Sequence, residues 1–439
     1  MREQFLKNLL QSPVTLGPYT LRNRIVMPPL TRNRADSENR VTDEMVTYYA
    51  QRASAGLLIC EGAAVSPQAV AYPGVPGIWR DEHVDAWKKV ADAVHSRGGT
   101  VFMQLWHAGR VSHPSVQPGG TPPVAPSAVR VVNWKIFTAD GLVDLVEPSA
   151  LEHDEVAGII QEYALAAENA KLAGFDGVEI HAANGYLIDQ FLNGGSNLRA
   201  DEYGGSQTHR IRFLTEVVNA VAHVWGPDRV GVRISPSATW MDCFDEDKES
   251  LYQEVVMELN KFGLAYLHLV EPSVDGAGTV GDLEDVQTVS TAGLASLFDG
   301  RVIVTGEHSA ESGNLAVQEG TADLVGYGRL FIANPDLPER FAADAPLNTP
   351  RREYFYGGSE TGFTDYPSLT GEVRLSQIRG QIARGRLTAD AFLRETAGTP
   401  LAASIRNGNE YAARILRCET SETASTAAAD SFGEMLSGR

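Results

Sequence analysis

The chain has 439 residues, with 37 basic and 56 acidic side chains and a net charge of −19 at pH 7. Its hydrophobic fraction of 43% and charged fraction of 21% are those of an ordinary globular protein. An acidic surface disfavours sequence-independent binding of nucleic acid, which needs basic side chains to displace counterions, and it also disfavours anionic membranes. We therefore expect neither a nucleic-acid partner nor a membrane partner.

The three cysteines, Cys60, Cys243 and Cys418, lie far apart in the sequence. They form no CxxC or Cys/His pattern of a disulfide framework or zinc site. The amino-terminal segment MREQFLKNLLQSPV lacks the apolar stretch of a signal peptide, and no segment approaches the length of apolar sequence that a transmembrane helix needs. We expect a reduced, cytoplasmic protein without a metal site.

Eight short apolar runs recur along the chain, with helix-length stretches between them. Most are apolar at successive positions, which is typical of parallel strands covered on both faces. The intervening stretches include predicted helices at 42–55, 81–95 and 153–172. Eight strand–helix units predict an α/β fold, either a (β/α)8 TIM barrel or a doubly wound sheet, and the count favours the barrel. The runs are RIVMPPL from Arg24, GLLICEG from Gly56, TVFMQLW from Thr100, DGVEIH from Asp176, RVGVRIS from Arg229, LAYLHLV from Leu264, RVIVT from Arg301 and ADLVGYG from Ala322.

One connection is far longer than an ordinary barrel loop. Between Trp106, at the end of the third run, and Glu152 the chain covers about 46 positions, whereas βα loops usually have about 2–6 residues. The insert contains PGGTPP and a predicted hairpin in VRVVNWKIFTADGLVDLVEP. We interpret residues 113–150 as a lid over the mouth of the barrel, with a hairpin that only closes the barrel end as the alternative.

Residues 1–370 form the predicted barrel domain, and the composition changes after them. Residues 371–439 contain nine Arg and no Lys. We expect a partly helical carboxyl-terminal extension whose last 20 or so residues are disordered. The oligomeric state, monomer or homodimer, stays open.

Barrel enzymes place their chemistry at the carboxyl ends of the strands. Here those positions carry no carboxylate pair, no Ser-His-Asp arrangement and no HxH metal pair. His181 and Asn184 are donors that could jointly hold an oxygen gaining negative charge, and Tyr186 is a phenol that can donate a proton at neutral pH. No side chain there delivers hydride, so a cofactor must bring the electrons.

Glycines near the last two strands suggest how such a cofactor is held. Gly306, Gly328 and Arg329 follow the seventh and eighth runs, where barrels commonly bind phosphate. A second pattern, from Gly276 to Gly281, matches the GxGxxG of dinucleotide folds. No helix clearly continues from its third glycine, so we favour a flexible βα loop there.

Two neighbouring segments, EIHAANGYLIDQFL and SNLRADEYGGS, resemble the signature of the Old Yellow Enzyme family of flavin-dependent ene-reductases. The resemblance extends in family order from about residue 10 to 370. It implies an FMN-containing barrel that takes hydride from NADPH or NADH and passes it from flavin N5 to an activated C=C bond. The other matching segments are VMPPLTRNRA, FMQLWHAGRVSH, VRISP, ADLVGYGRLFIANPDLPER and YFYGGSETGFTDYPSL.

The resemblance also implies which residues bind the cofactor. Thr31 would hydrogen-bond the flavin C4 oxygen, Gln104 would bind the pyrimidine ring, and Arg233 would stabilise negative charge near N1 and C2. The ring would be lined by Pro29, Leu30 and Gly62. The phosphate would be held by Gly306, Glu307, Gly328 and Arg329.

For the substrate, the resemblance implies an electron-poor alkene whose carbonyl or nitro oxygen is held by His181 and Asn184. Tyr186 would protonate the neighbouring carbon. The aromatic walls of the pocket would be Tyr72 and Phe363, with Trp106 shaping its interior.

Several functions stay open from the sequence. The physiological reaction could be reduction of nitrate esters or nitroaromatics, or a dedicated biosynthetic step on the same site. A metal-dependent or Schiff-base lyase or hydrolase on the same barrel would need clustered ligands or a strand-end lysine, and neither is present. A non-catalytic flavoprotein is the third alternative. The choice between NADPH and NADH is also open.

Overall fold

The computed structural model describes residues 9–275, 278–279 and 288–369. Its centre is a set of eight parallel strands, which coincide with the eight apolar runs. The strands are β1 (Ile25–Met27), β2 (Leu57–Ile59), β3 (Val101–Trp106), β4 (Gly177–Ala182), β5 (Val230–Ile234), β6 (Tyr266–Val270), β7 (Arg301–Thr305) and β8 (Leu324–Gly326).

These strands close into a barrel. Each pairs in parallel with its neighbours, and the ring is completed where Gly326 of β8 pairs with Val26 of β1. On the opposite side Glu179 of β4 pairs with Gln104 of β3. A doubly wound sheet is open, so each of its two edge strands pairs with a neighbour on one side only. The closed ring of strands therefore confirms the predicted (β/α)8 barrel.

Helices surround the barrel. The predicted helices at 81–95, before β3, and 153–172, before β4, are confirmed with the predicted boundaries. Helix 81–95 turns Trp87, Val90 and Val94 inward at helical spacing, so one face packs on the strands. The first helix is shorter than its predicted range of 42–55. No helix among the described residues has the length and apolarity needed to cross a membrane. The helices are α1 (Asp43–Gln51), α2 (Asp81–His95), α3 (His153–Leu172), α4 (Leu187–Leu192), α5 (Gln207–Trp225), α6 (Lys248–Asn260), α7 (Thr291–Leu297), α8 (Ala310–Glu319), α9 (Gly328–Ala333) and α10 (Leu337–Ala343).

The amino-terminal end of the barrel is closed by a small hairpin. Strand Val14–Leu16 pairs antiparallel with Tyr19–Leu21, and its apolar side chains join a buried cluster with Phe102 and Ile303 from the barrel interior. The edge of the Tyr19 ring contacts Phe102, with 6.3 Å between ring centroids. The opposite end of the barrel, at the carboxyl ends of the strands, is therefore the end available for a site.

The long insert after β3 contains an antiparallel hairpin, Lys135–Thr138 with Gly141–Asp144, inside the segment predicted to form one. Its base is tied to the loop after β5. The backbone N–H of Val132 donates to the Asp242 carboxylate at 2.7 Å, and the Asn133 side chain donates to the same group at 2.8 Å.

Two other predicted segments fall partly or wholly outside the described residues. The extension 371–439, with its expected helices and disordered end, lies outside them. In the GxGxxG segment, Val274–Asp275 pairs antiparallel with Gly278–Thr279, while Gly276 and Gly281 lie outside the described residues.

Candidate functional site

Four predicted site residues meet in one aromatic cluster at the carboxyl end of the barrel. The rings of Tyr186 and Trp106 lie 5.0 Å apart, edge to face, and His181 lies 5.1 Å from Tyr186. The hydroxyl of Tyr72 is 3.1 Å from that of Tyr186, and its ring stacks on Trp106 at 6.2 Å. The structure therefore brings together a proton-bearing phenol pair and an imidazole.

The predicted oxygen-binding residues are carried by β4 and the turn after it. His181 pairs in register with Arg233 of β5, which places imidazole and guanidinium side by side. Asn184 has a φ of 57° and Gly185 a φ of 72°, a left-handed turn that Asn and Gly tolerate better than other residues. This turn reverses the direction of the chain, so that Tyr186, the N-cap residue of α4, lies beside His181.

Buried polar residues that the sequence analysis did not identify hold this turn in place. The N–H of Asn184 donates to Ser235 Oγ at 2.7 Å, and the N–H of Gly185 donates to the Asp189 carboxylate at 2.8 Å. The Gln190 side chain donates to the Gly185 carbonyl at 2.8 Å. The sequence could have indicated Asp189 and Gln190, because they are polar residues inside the otherwise apolar segment LIDQFL.

Burial sets the protonation of the cluster. It lowers the pKa of His181 well below its usual range, with the nearby charge of Arg233 acting in the same direction. Burial likewise raises the pKa of Tyr186 well above its usual range and raises that of Tyr72 to about 12. At neutral pH the site therefore holds an uncharged imidazole and two protonated phenols.

Three buried nitrogen atoms in the site have no hydrogen-bond partner within the described chain. They are Nδ1 of His181, Nε of Arg233 and Nε1 of Trp106. A buried polar atom without a partner costs free energy unless a ligand or water satisfies it. His181 and Arg233 lie at the carboxyl ends of adjacent strands, so a ligand with acceptor atoms placed there would satisfy the nitrogen atoms of both.

The predicted ring-binding residues lie at the ends of β1 and β2. Pro29 is buried, Leu30 and Thr31 are half-buried, and Gly62 is buried against Trp106. Glu61 holds the end of the segment 29–31 in place. Its carboxylate accepts hydrogen bonds from the backbone N–H of Arg32 at 3.1 Å and from the Tyr49 hydroxyl at 2.9 Å. Burial raises the pKa of Glu61 to about 7.

The four predicted phosphate-binding residues also come together. Gly306 follows β7 and Gly328 begins α9 after β8, and the two strands pair through Thr305 and Gly326. The guanidinium of Arg329 contacts the carboxylate of Glu307 across this pair of loops. Their assignment to a phosphate stays a prediction.

Phe363, predicted as an aromatic wall of the pocket, packs against other side chains of the chain, and its role toward a substrate stays a prediction. Its ring is fully buried, stacks on Tyr48 with 4.2 Å between centroids and is covered by the Arg34 guanidinium at 4.2 Å.

Two further aromatic residues that sequence reasoning missed, Trp240 and Tyr356, belong near the phenol pair. Trp240, in the loop after β5, lies 5.8 Å from Tyr186 and 5.9 Å from Trp134 of the insert. Tyr356 is 55% exposed and lies close enough to Tyr72 and Tyr186 to raise the pKa of both phenols further. Tyr356 precedes a Gly-Gly pair, a turn signal that could have marked it.

Comparisons with known proteins agree on one family. Residues 9–348 match the model of the NADH:flavin oxidoreductase / NADH oxidase family. The chain is 44% identical over 364 residues to 12-oxophytodienoate reductase 2 of Arabidopsis thaliana, covering 82% of this chain and 96% of that protein. It is 45% identical to morphinone reductase solved in complex with tetrahydroNAD, with a TM-score of 0.76 and coverage of 82% and 97%. An old yellow enzyme homologue from Zymomonas mobilis is 40% identical, with a TM-score of 0.78 and coverage of 82% and 99%.

Proposed function

Since the chain belongs to the NADH:flavin oxidoreductase / NADH oxidase family, whose members include Old Yellow Enzyme relatives, we propose how its strand-end residues carry out the family's reaction. The protein is an FMN-dependent oxidoreductase that uses NAD(P)H. It reduces the C=C bond of α,β-unsaturated carbonyl or nitro compounds. The roles of individual residues are the proposal.

The residues present fit FMN. The buried, unpartnered Nε of Arg233 can donate to the pyrimidine edge of a flavin, which carries acceptor atoms at N1 and C2. Gln104 would bind the same edge, Thr31 the C4 oxygen, and Pro29 and Leu30 would line the ring. When bound, FMN supplies the hydride for the reduction. The remaining predicted contacts are Gly62 with the ring and Gly306, Glu307, Gly328 and Arg329 with the phosphate.

His181 and Asn184 hold the substrate oxygen in this proposal. Because the imidazole of His181 is uncharged, it donates one N–H without adding a full charge to the site. Negative charge grows on that oxygen during reduction of the conjugated bond, so a fixed donor stabilises the transition state more than the bound substrate.

Tyr186 supplies the proton. Its phenol is protonated at neutral pH and lies beside His181, so it can donate to the carbon next to the activating group. Transfer leaves a phenolate on Tyr186, and the Tyr72 hydroxyl, 3.1 Å away, can then donate a hydrogen bond to it. The single observation that carries the proposal is this phenol pair set against a neutral histidine.

The test is a visible absorbance spectrum of the purified protein, followed by anaerobic addition of NADPH and then 2-cyclohexenone. We expect flavin bands that bleach with NADPH and return with the enone. A protein that cannot be loaded with FMN, or whose bleached spectrum does not recover with the enone, would contradict the proposal. Repeating the bleaching with NADH gives the coenzyme preference.

We also propose that the protein works in the cytoplasm, as a monomer or homodimer. The buried thiols of Cys60 and Cys243, which are free, support a reducing compartment. Light scattering on the full chain distinguishes monomer from dimer, and fractionation of the source cells tests the location.

A further inference from the structure

A buried polar network lies inside the barrel next to the proposed flavin residues. Its centre is Glu179 on β4, which is fully buried. Residues two apart on a strand point to the same face, so Glu179 shares the barrel interior with His181. Glu179 is not among the residues proposed to bind the cofactor, hold the substrate or donate the proton.

Three donors converge on the Glu179 carboxylate. Gln104 Nε2 donates to Oε1 at 2.8 Å, and Oε2 accepts from His268 Nδ1 at 2.7 Å and from the Tyr266 hydroxyl at 3.1 Å. The other nitrogen of His268 lies 2.7 Å from the Thr305 hydroxyl. Side chains of four strands, β3, β4, β6 and β7, are therefore joined through this one carboxylate.

The network fixes the orientation of the Gln104 amide. An ionised carboxylate only accepts hydrogen bonds, so only the NH2 group of Gln104 can face Glu179. The amide oxygen and the second N–H must then point elsewhere. A flavin pyrimidine ring offers an N–H donor at N3 beside an acceptor at C2, and this orientation supplies the matching acceptor and donor.

Glu179 also compensates the charge of Arg233. Burial lowers the pKa of Arg233, and the negative charge of Glu179 acts against that shift. Charge beside N1 of a flavin is one of the means by which proteins tune its electronics. Removal of the Glu179 charge would leave the buried guanidinium uncompensated.

We propose that Glu179 is a positioning residue for the cofactor, which selects the amide orientation of Gln104 and balances the charge of Arg233, with His268 and Tyr266 holding its second oxygen. This inference rests on the proposed FMN site. Glu179 acts through Gln104 and Arg233 and does not itself contact the reacting atoms.

The first measurement is the dissociation constant of FMN from the apoprotein. In Glu179→Gln, the new amide cannot accept from all three donors, so Gln104 is free to turn; we expect FMN to bind about tenfold more weakly, since a buried charged hydrogen-bond network is broken. In a Gln104→Leu background the same substitution should weaken FMN binding much less, because the effect through Gln104 is absent and only the effect through Arg233 remains.

The second measurement is the midpoint potential of the bound flavin, which general loosening of the barrel would not shift in a fixed direction. Glu179→Gln should move the potential to more positive values, because the uncompensated Arg233 favours the electron-rich reduced flavin. Glu179→Asp keeps the charge but withdraws it by one methylene; it should weaken FMN binding while leaving the potential near the wild-type value. The aspartate variant also serves if the glutamine variant does not fold.

Tyr163→Phe is the matched control. It removes one buried hydroxyl from α3, outside the Glu179 network, where this hydroxyl has no hydrogen-bond partner among the described residues, and both readouts should stay close to wild type. The inference is overturned if Glu179→Gln behaves like this control, or if it weakens FMN binding equally in the Gln104→Leu background. Wild-type apoprotein that does not bind FMN would instead count against the proposed function itself.

Discussion

The turn 183–186 forms part of the aromatic cluster, and the hairpin 135–144 is connected to the cluster only through Trp134 at its base and Trp240. The two segments are held in different ways. In the turn, backbone N–H groups donate to buried Ser235 and Asp189, and Asp189 accepts a further bond from Tyr252 at 2.8 Å. In the hairpin, Phe137 and Leu142 pair opposite one another and are 55% and 67% exposed. The reacting residues are thus positioned by buried polar contacts of the turn. The exposed hairpin contributes only Trp134 at its base. Changes in the turn should alter rates, and changes in the hairpin should alter substrate binding.

The largest effect is expected for Tyr186→Phe, which removes the proposed proton donor but keeps the ring. Loss of a general acid typically costs about 100- to 10,000-fold in rate. Turnover of 2-cyclohexenone should fall within that range, while anaerobic reduction of the flavin by NADPH stays near the wild-type rate. Stopped-flow measurement of the two half-reactions checks this.

Tyr72→Phe is the control for that change, because it removes the second phenol at 3.1 Å and leaves the donor itself. Its effect on enone turnover should be smaller. Equal losses in the two half-reactions for Tyr186→Phe would show that the ring positions the cofactor rather than donating a proton.

His181→Ala should be the next largest. Loss of one fixed donor to an oxygen that gains charge costs about 3 kcal/mol, or roughly 100-fold in rate. We expect this loss in oxidation of the reduced flavin by enone, together with weaker enone binding. His181→Asn retains an N–H donor and should recover part of the rate. No recovery with Asn would argue against the hydrogen bond as the cause.

Glu61 tests the support under the ring-binding segment through pH. Burial raises its pKa from 4.5 to about 7, so the folded protein keeps a proton that the unfolded chain loses. The free energy of unfolding of the wild type should therefore fall relative to Glu61→Gln as pH rises from about 4.5 to 7, by about 3 kcal/mol at most. Urea unfolding of both proteins at pH 5 and pH 8 measures this difference. A pH-independent difference would mean that the Glu61 carboxyl is not held protonated.

The smallest effects belong to the hairpin. Trp134 contacts Trp240 beside the phenol pair, so Trp134→Ala should raise KM severalfold for bulky enones with little change in kcat. Phe137→Ser, on the exposed face, should leave KM near the wild-type value. It should change the free energy of unfolding by no more than about 0.5 kcal/mol. A large fall in kcat for Trp134→Ala would remove the distinction between turn and hairpin, since the hairpin would then take part in the chemistry.

The sequence by itself determined the barrel, and it predicted the strand-end residues that are proposed for the site. The eight apolar runs predicted the eight strands because parallel barrel strands are covered on both faces, which leaves a continuous apolar signal in the chain. His181 and Tyr186 were identifiable because barrels carry their chemistry just after these runs. In the structure His181 contacts Tyr186, which in turn contacts Tyr72 and Trp106.

Only the tertiary structure decided which way the remaining side chains face. Phe363 stands in a matching segment, but its packing against Tyr48 and the Arg34 guanidinium could not be predicted from that segment. Trp240 and Glu179 gain their positions from residues far apart in sequence, through ring contacts and hydrogen bonds across the barrel. Local sequence sets strand and helix periodicity, whereas the partner of a buried polar or aromatic group depends on barrel closure, and no short segment encodes that closure.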